Sequence, residues 1–278
     1  MLFIVNPISG HGRKKRLISR LQKDGYNVVC TEYAGHAEKL AREAVDSVVV
    51  AVGGDGTVNE VARGLVGTGK TLGIIPCGSG DGLARHLGIS HNFGKALRTV
   101  TDGKTSPMDA GTIDGKMFFS VCGVGFDAVV SERFAKCGRR GLSSYISEGL
   151  KTWRHYVPEK YSICIDGKLH EHEAMFITVG NSNQWGNGAK ITPLADSSDG
   201  ILDVTVVDGF KAVELPWLAG RLMTGSAHKS RRVHTYRGQR ITITRPSAGP
   251  AHADGDWFSA GKTIEIKIIS HALNVLVP

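Results

Sequence analysis

The sequence predicts an α/β N-terminal domain, Rossmann-like with a mostly parallel sheet covered by helices, followed by a mainly antiparallel β-sandwich domain. Two patterns carry that expectation. Through the first hundred residues, short unbroken apolar runs alternate with helical stretches, as in a parallel sheet covered on both faces. Further on, β-rich runs succeed one another, and Asp114-Gly115 and Asp166-Gly167 sit between them as hairpin turns. The domains are placed at 1–105 and 106–278, with the extreme C-terminus a candidate to return to the first domain.

In order, residues 2–5 form a strand, 14–23 a helix, 27–32 a strand, 37–45 a helix, 47–52 a strand, 58–65 a helix and 72–75 a strand. A short helix follows at 82–87. The second half carries strands at 117–121, 161–165, 174–179, 202–207, 240–244 and 263–269, with helices at 126–135, 142–155 and 213–223.

Ligands of open parallel sheets bind beyond the carboxyl ends of the strands. Those ends carry Asn6-Pro-Ile-Ser-Gly10, Gly53-Gly-Asp-Gly-Thr57 and Pro76-Cys-Gly-Ser-Gly-Asp81. Glycines uncover backbone N–H groups, and a turn that opens a helix gathers them into a concavity suited to phosphate. Asp55 is the odd member, because an acid among phosphates repels them unless it holds a metal or a proton. The combination points to phosphoryl transfer. Asp81 has two compatible readings, a helix N-cap and a functional contact. Gly64-Leu-Val-Gly-Thr-Gly-Lys-Thr71 matches the P-loop letters, but it follows a helix and precedes a strand, so it is read as a helix-ending glycine turn.

The 278 residues are 41% hydrophobic and 22% charged, ordinary for a globular chain. Residues 1–5 are apolar, but Asn6-Pro7 ends the run too early for a signal peptide or a span, so a cytoplasmic protein is expected. The five cysteines lack metal or disulfide spacing. The net charge is +8, with basic clusters at Arg13–Arg16, Arg139-Arg140 and Lys229 with Arg231-Arg232. No nucleic-acid-binding signature accompanies them, so no nucleic acid is expected as a partner.

Gly53-Gly-Asp-Gly-Thr-Val-Asn-Glu60 together with Pro76-Cys-Gly-Ser-Gly-Asp-Gly-Leu-Ala84 resembles the catalytic domain of diacylglycerol kinases, a superfamily that includes sphingosine and ceramide kinases and bacterial soluble lipid kinases. Asn6–Gly10, Thr31 with Gly35-His36-Ala37, the loop Pro193–Asp203 and Asp254-Gly255-Asp256 extend the resemblance over nearly the whole chain, in order. The resemblance implies ATP held by Asn6, Pro7, Ile8, Ser9, Gly10, Thr31, Gly53, Gly54, Asp55, Gly56, Thr57, Val58, Asn59 and Ser79. It implies a structural Mg²⁺ on the carboxylates of Asp196 and Asp199 and the carbonyl of Ile201, oxygen ligands that suit a hard ion. The plain alternative there is an Asx-type turn without metal.

The family's last triplet acid is Glu, the proton acceptor from the lipid hydroxyl. Here it is Asp256, one methylene shorter, so the base is Asp256, Asp254 or Asp256 through a water. Asp254 and Asp256 face the same way if extended. Asp55 is assigned to the catalytic Mg²⁺ through water.

The expected function is ATP- and Mg²⁺-dependent phosphorylation of a lipid hydroxyl at a membrane surface, with peripheral association. Diacylglycerol-type acceptors come first, sphingoid bases or ceramide next. Phe118, Phe119, Phe126, Phe134, Tyr145, Trp153 and Tyr156 are candidates for the acyl pocket, each with ordinary core as its alternative. The rivals are NAD kinase-like phosphorylation of a soluble acceptor and a non-catalytic nucleotide or lipid sensor. A homodimer is compatible with the sequence, although no heptad or apolar face can be isolated for it.

Overall fold

The computed structural model describes residues 1–8, 14–137 and 142–278. Arg13, Arg139 and Arg140, three of the basic residues, lie outside them. The chain forms two compact units, residues 1–109 with 270–278, and residues 110–269.

The first unit is built from β1 (Leu2–Val5), α1 (Lys14–Lys23), β2 (Asn27–Cys30), α2 (His36–Glu43), β3 (Val48–Gly53), α3 (Asp55–Leu65), β4 (Thr71–Pro76), α4 (Gly82–His86) and α5 (Phe93–Asp102). β1 pairs in parallel with β2 and β3, and β3 with β4. Asn274 and Val275 of the C-terminal strand add to β4, also in parallel. Phe3, Ile4, Val50, Leu65, Leu72 and Ile75 are almost wholly buried around this sheet, each contributing about 1.5–3 kcal/mol. α5 was not foreseen. Asn92 starts it by accepting the Lys95 N–H at 3.1 Å.

The P-loop-like letters have a packing explanation. A side chain on Gly64 would run into the backbone carbonyl of Glu38 and meet Cβ of Ala41 at 2.8 Å, so this glycine lets α3 lie against α2. Lys70 Nζ donates to the Arg42 carbonyl at 3.1 Å. Gly64→Ala is therefore expected to destabilise the chain by about 1–3 kcal/mol, read by thermal unfolding. With ATP as the nucleotide the resemblance implies, Lys70→Ala is expected to leave its KM within about twofold, an outcome a true P-loop lysine would not allow.

β5 (Lys104–Ile113) leads into the second unit, with β6 (Lys116–Phe118), β7 (Val121–Gly125), α6 (Phe126–Lys136), α7 (Leu142–Trp153), β8 (Glu159–Ile165), β9 (Lys168–Gly180), β10 (Leu202–Asp208), α8 (Leu215–Thr224), β11 (Val233–Gly238), β12 (Arg240–Thr244), β13 (Gly249–Ala253), β14 (Asp256–Ala260) and β15 (Thr263–Val277). Among the described residues, β6 to β14 pair antiparallel with their neighbours. Phe118, Ile163, Ile177, Val204, Ile241 and Ile264 centre its core. The single strand expected at 117–121 is two strands, because Asp254 takes the backbone N–H groups of Phe119, Ser120 and Val121 at the break.

Candidate active site

Parallel pairing in the first unit brings the carboxyl ends of β1 to β4 to one edge. Asn6 leaves β1 with its N–H on Val52 O at 3.2 Å, and its Oδ1 accepts the Ile8 N–H at 3.0 Å, so Asn6-Pro7-Ile8 is an Asx turn. Thr31 follows β2, its N–H on Val5 O at 2.9 Å. The Gly53 carbonyl accepts the Cys77 N–H at 2.8 Å, joining the turns after β3 and β4. Ser9 and Gly10 lie outside the described residues.

The glycines of the central turn serve different needs. A side chain on Gly53 would strike that of Thr57, and one on Gly78 would come within 2.8 Å of the Gly54 Cα. The two turns therefore pack backbone against backbone. Gly56 has open space where its side chain would be and is exposed. The first intrahelical bond of α3 runs from Val58 N to Gly54 O at 3.1 Å, which leaves Gly56 and Thr57 at the positive helix end ahead of it. Val58 and Asn59 are buried and the Val58 N–H is already used. Their side chains shape the turn from within.

The motif acids hold neighbouring helices. Asp55 Oδ2 accepts the Asp81 N–H at 2.8 Å and Oδ1 the Gly82 N–H at 2.7 Å, where α4 begins. Glu60 does the same for α2, accepting Gly35 N–H at 2.9 Å and Ala37 N–H at 3.1 Å. Burial raises the Asp55 carboxyl above its ordinary pKa, opposed chiefly by the Gly82 and Asp81 N–H groups. Asp81 does not cap α4. Its backbone is left-handed (φ 45°), its Oδ1 accepts the Gly78 N–H at 3.0 Å, and its Oδ2 lies 3.2 Å from His91 Nε2. The capping place is already filled by Asp55. Ser79 sits in the same turn.

In the second unit the acidic triplet is a hairpin, which corrects the extended reading. Asp254 (φ 50°) and Gly255 (φ 86°) are the two left-handed residues of a turn closed by the pair Ala253 and Asp256. Asp-Gly favours this turn for the same reason at 114 and 166. Each of these aspartates ties an adjoining segment: Asp114 accepts Glu265 N–H, Asp166 accepts Gln239 and Arg240 N–H, and Asp254 accepts three. Asp254 thus behaves as a turn residue, and exposed Asp256 opens β14.

A buried network supports that turn. His252 Nδ1 accepts the Gly255 N–H at 3.3 Å, so Nε2 carries the proton and donates to Asp127 Oδ2 at 3.1 Å. Thr178 Oγ1 donates to the same oxygen at 3.0 Å. Asp127 also lines an apolar cavity of about 210 Å³, with Phe126, Phe176, Trp185, Phe210 and Leu218 among its walls. Among the described residues, Asp127 is the one charged side chain of that lining. Phe126, one of the acyl-pocket candidates, lies in this lining; Trp153 and Tyr156 back the wall, Trp153 stacked on Phe210 and Tyr156 edge-on to Phe126. Phe118 and Phe119 are fully buried core instead. Phe134 lies on α6 outside the lining, and the Tyr145 side chain is outside the described residues. The wall from α8, with Leu215, Leu218 and Leu222, was missed.

In the acidic loop, Asp196 Oδ1 accepts the Ser198 N–H at 3.0 Å and Asp199 Oδ1 the Ile201 N–H at 3.0 Å. Arg237 bonds Asp199 Oδ2 through Nη2, and its Nε lies 3.4 Å from Asp203 Oδ2. The Asp203 carboxyl is pushed up to about 6, by burial first, against Arg237 and with Asp199 and Asp196 adding to the rise. Asp199 and Asp203 share the Arg237 guanidinium, and Asp196 adds a third carboxylate whose charge acts on Asp203, an oxygen-rich donor set that fits a hard divalent ion. Asp203 and Arg237 were not singled out from sequence.

The diacylglycerol kinase catalytic domain model matches residues 1–113, and the YegS C-terminal NAD kinase beta sandwich-like domain model matches 120–277. A diacylglycerol kinase of Mycobacterium tuberculosis is 33% identical, the match covering 99% of this chain and 94% of that one. The crystal structure of a diacylglycerol kinase from Bacillus anthracis superposes with a TM-score of 0.77 at 20% identity, covering 100% and 96%. An NAD kinase from Archaeoglobus fulgidus in complex with ATP aligns at a TM-score of 0.57 and 12% identity, covering 99% and 92%. At such identities the two structures speak for the fold.

Proposed function

The chain belongs to the diacylglycerol kinase catalytic-domain family and is a lipid kinase, and from that premise we propose that it transfers the γ-phosphoryl group of ATP to a lipid hydroxyl. Diacylglycerol is the first acceptor, with a sphingoid base or ceramide next. The observation that carries the lipid reading is the apolar cavity whose lining, among the described residues, holds one carboxylate. A soluble dinucleotide would need polar partners along such walls. At about 210 Å³ the cavity falls below the roughly 300–1,000 Å³ of whole-ligand sites, so it takes part of an acyl chain.

The Gly56 and Thr57 N–H groups at the start of α3 hold phosphate oxygens, assisted by the turn at Asn6 and by Ser79. Asp55 sets the position of the Gly78–Gly82 turn against them. Asp256 accepts the proton of the lipid hydroxyl, while Asp254 and His252 fix the turn that presents it. Asp127, its oxygens held by Ala128, Thr178 and His252, ties the cavity wall to that turn. Asp196, Asp199 and the Ile201 carbonyl would hold a structural Mg²⁺; Mg²⁺ bound with ATP supplies charge neutralisation on the phosphates.

No helix among the described residues is long and apolar enough to cross a membrane. α8 turns Leu218 and Leu222 to the cavity and leaves Trp217 and Met223 47% and 57% exposed. With exposed Arg231 and Arg232 nearby in sequence, this supports peripheral contact with an anionic bilayer.

The test is transfer from labelled ATP with Mg²⁺ to micellar diacylglycerol, sphingosine, ceramide and phosphatidylglycerol, with NAD as soluble control. Product on a lipid supports the reading, and product on NAD alone overturns it. Ala219→Trp, which fills the cavity, is expected to lower lipid turnover at least about tenfold with the KM for ATP unchanged.

A further inference from the structure

Three ligating side chains converge at the end of β10. His172 on β9, Asp208 at the last position of β10 and His234 on β11 each bring one ligand atom to within 4.8 Å of the others. The sheet explains the convergence. β10 runs between β9 and β11, and its pairing with β9 shifts register between Val207 and Asp208, an irregularity that re-aims the side chain there. Alternation puts His170 and His172 on one face of β9, and His234 and Tyr236 on one face of β11. The His172 and His234 ring centroids are 4.8 Å apart, and those of His170 and Tyr236 4.3 Å. His234 Nε2 lies 2.9 Å from Asp208 Oδ2, and His172 Nε2 lies 2.9 Å from the Tyr236 hydroxyl.

We propose that His172, Asp208 and His234 form a binding site for one divalent transition-metal ion of the zinc type. Two imidazoles and a carboxylate are the donor set of such ions, whereas Mg²⁺ prefers oxygen alone. Ligands on a tetrahedral zinc stand roughly 3.4 Å apart, given bonds of about 2.0–2.2 Å. Closure from the present spread therefore takes small side-chain rotations on a fixed sheet. The His234 and Asp208 side chains are 38% and 28% exposed, and a cavity of about 420 Å³ lined by His172, Asp208, Glu171 and Glu173 opens beside them. The open cavity gives the ion an entry path and room for a water as fourth ligand. The Tyr236 hydroxyl orients the His172 ring, as partners of metal-bound histidines do. A simple His234–Asp208 ion pair would not require a second imidazole at the same point. The ion would brace the end of β10 two residues before Phe210, a wall of the apolar cavity.

The test uses the full chain stripped with chelator and titrated with Zn²⁺ in excess Mg²⁺, which keeps oxygen-only sites occupied. One equivalent is expected to bind, with affinity at least about tenfold weaker in His172→Gln and in His234→Gln. Tyr236→Phe is expected to weaken it less, and Asp199→Asn and Cys30→Ser to leave it unchanged. Co²⁺ in place of Zn²⁺ should give the visible absorption of a four-coordinate nitrogen–oxygen site in the parent chain and lose it in both histidine variants. Absence of Zn²⁺ binding, or equal binding by the parent and by folded histidine variants, would overturn the proposal.

Discussion

Asp256→Ala is expected to fold like the parent and to lose at least about 100-fold in turnover, whereas Asp254→Ala loses stability first. The two acids stand two residues apart in one motif, yet the hairpin gives them different work. The Asp254 carboxylate accepts the N–H groups of Phe119, Ser120 and Val121 at 2.8–3.0 Å. Removing it strips three donors between β6 and β7 and leaves alanine in a left-handed conformation, a combined loss of about 3 kcal/mol or more. Asp256 is exposed at the first position of β14, where truncation removes little packing. Thermal unfolding and lipid phosphorylation on both variants separate the roles. A stable, inactive Asp254→Ala beside an active Asp256→Ala would move the base to Asp254. Asp256→Glu adds the methylene the family usually has there, and should retain activity if reach is not limiting.

The motif at 254–256 also shows where sequence reading succeeds and where it stops. Asp-Gly pairs at 114 and 166 announced their turns, because the left-handed preference is local chemistry. The pair at 254 carries the same letters, but reading it as a catalytic triplet hid the hairpin. The parallel strands of the first unit were legible for a similar reason: each is an unbroken apolar run bounded by turn residues. What was not legible is tertiary. Nothing near Asp55 in sequence says that it holds Asp81 and Gly82, 26 and 27 residues on. Nothing near Glu60 says that it caps α2. Phe176, Trp185 and Phe210 come from separate elements and meet only in the folded cavity, and the His172–Asp208–His234 cluster needs three strands in register.

Asp55→Asn is expected to cost at least about 100-fold in kcat/KM, with Gly78→Ala close behind. The Asp55 carboxylate offers one oxygen to each of two N–H groups; the amide replaces one acceptor with an NH₂ that opposes an N–H. The Gly78–Gly82 turn would then leave its place over Gly54, where backbones already approach too closely for a Cβ on Gly78. Both variants should raise the KM for ATP as well as lower kcat, because they displace a turn proposed to hold the nucleotide. Proton linkage adds an independent signature. Burial raises the folded Asp55 pKa above its unfolded value, so within that window the folded state binds more protons than the unfolded one. Stability from this group therefore rises as pH falls through the window and is lost as pH rises through it. Turnover should move the other way, because the ionised carboxylate is the form that accepts both N–H groups. The difference in unfolding temperature between the parent and Asp55→Asn, which isolates this group, and the parent's kcat/KM are expected to change with opposite signs across the acid limb. Asp55→Asn should lose this group's contribution to both. If that variant keeps the parent's acid limb, another group sets it, and Asp55 serves only to hold the start of α4.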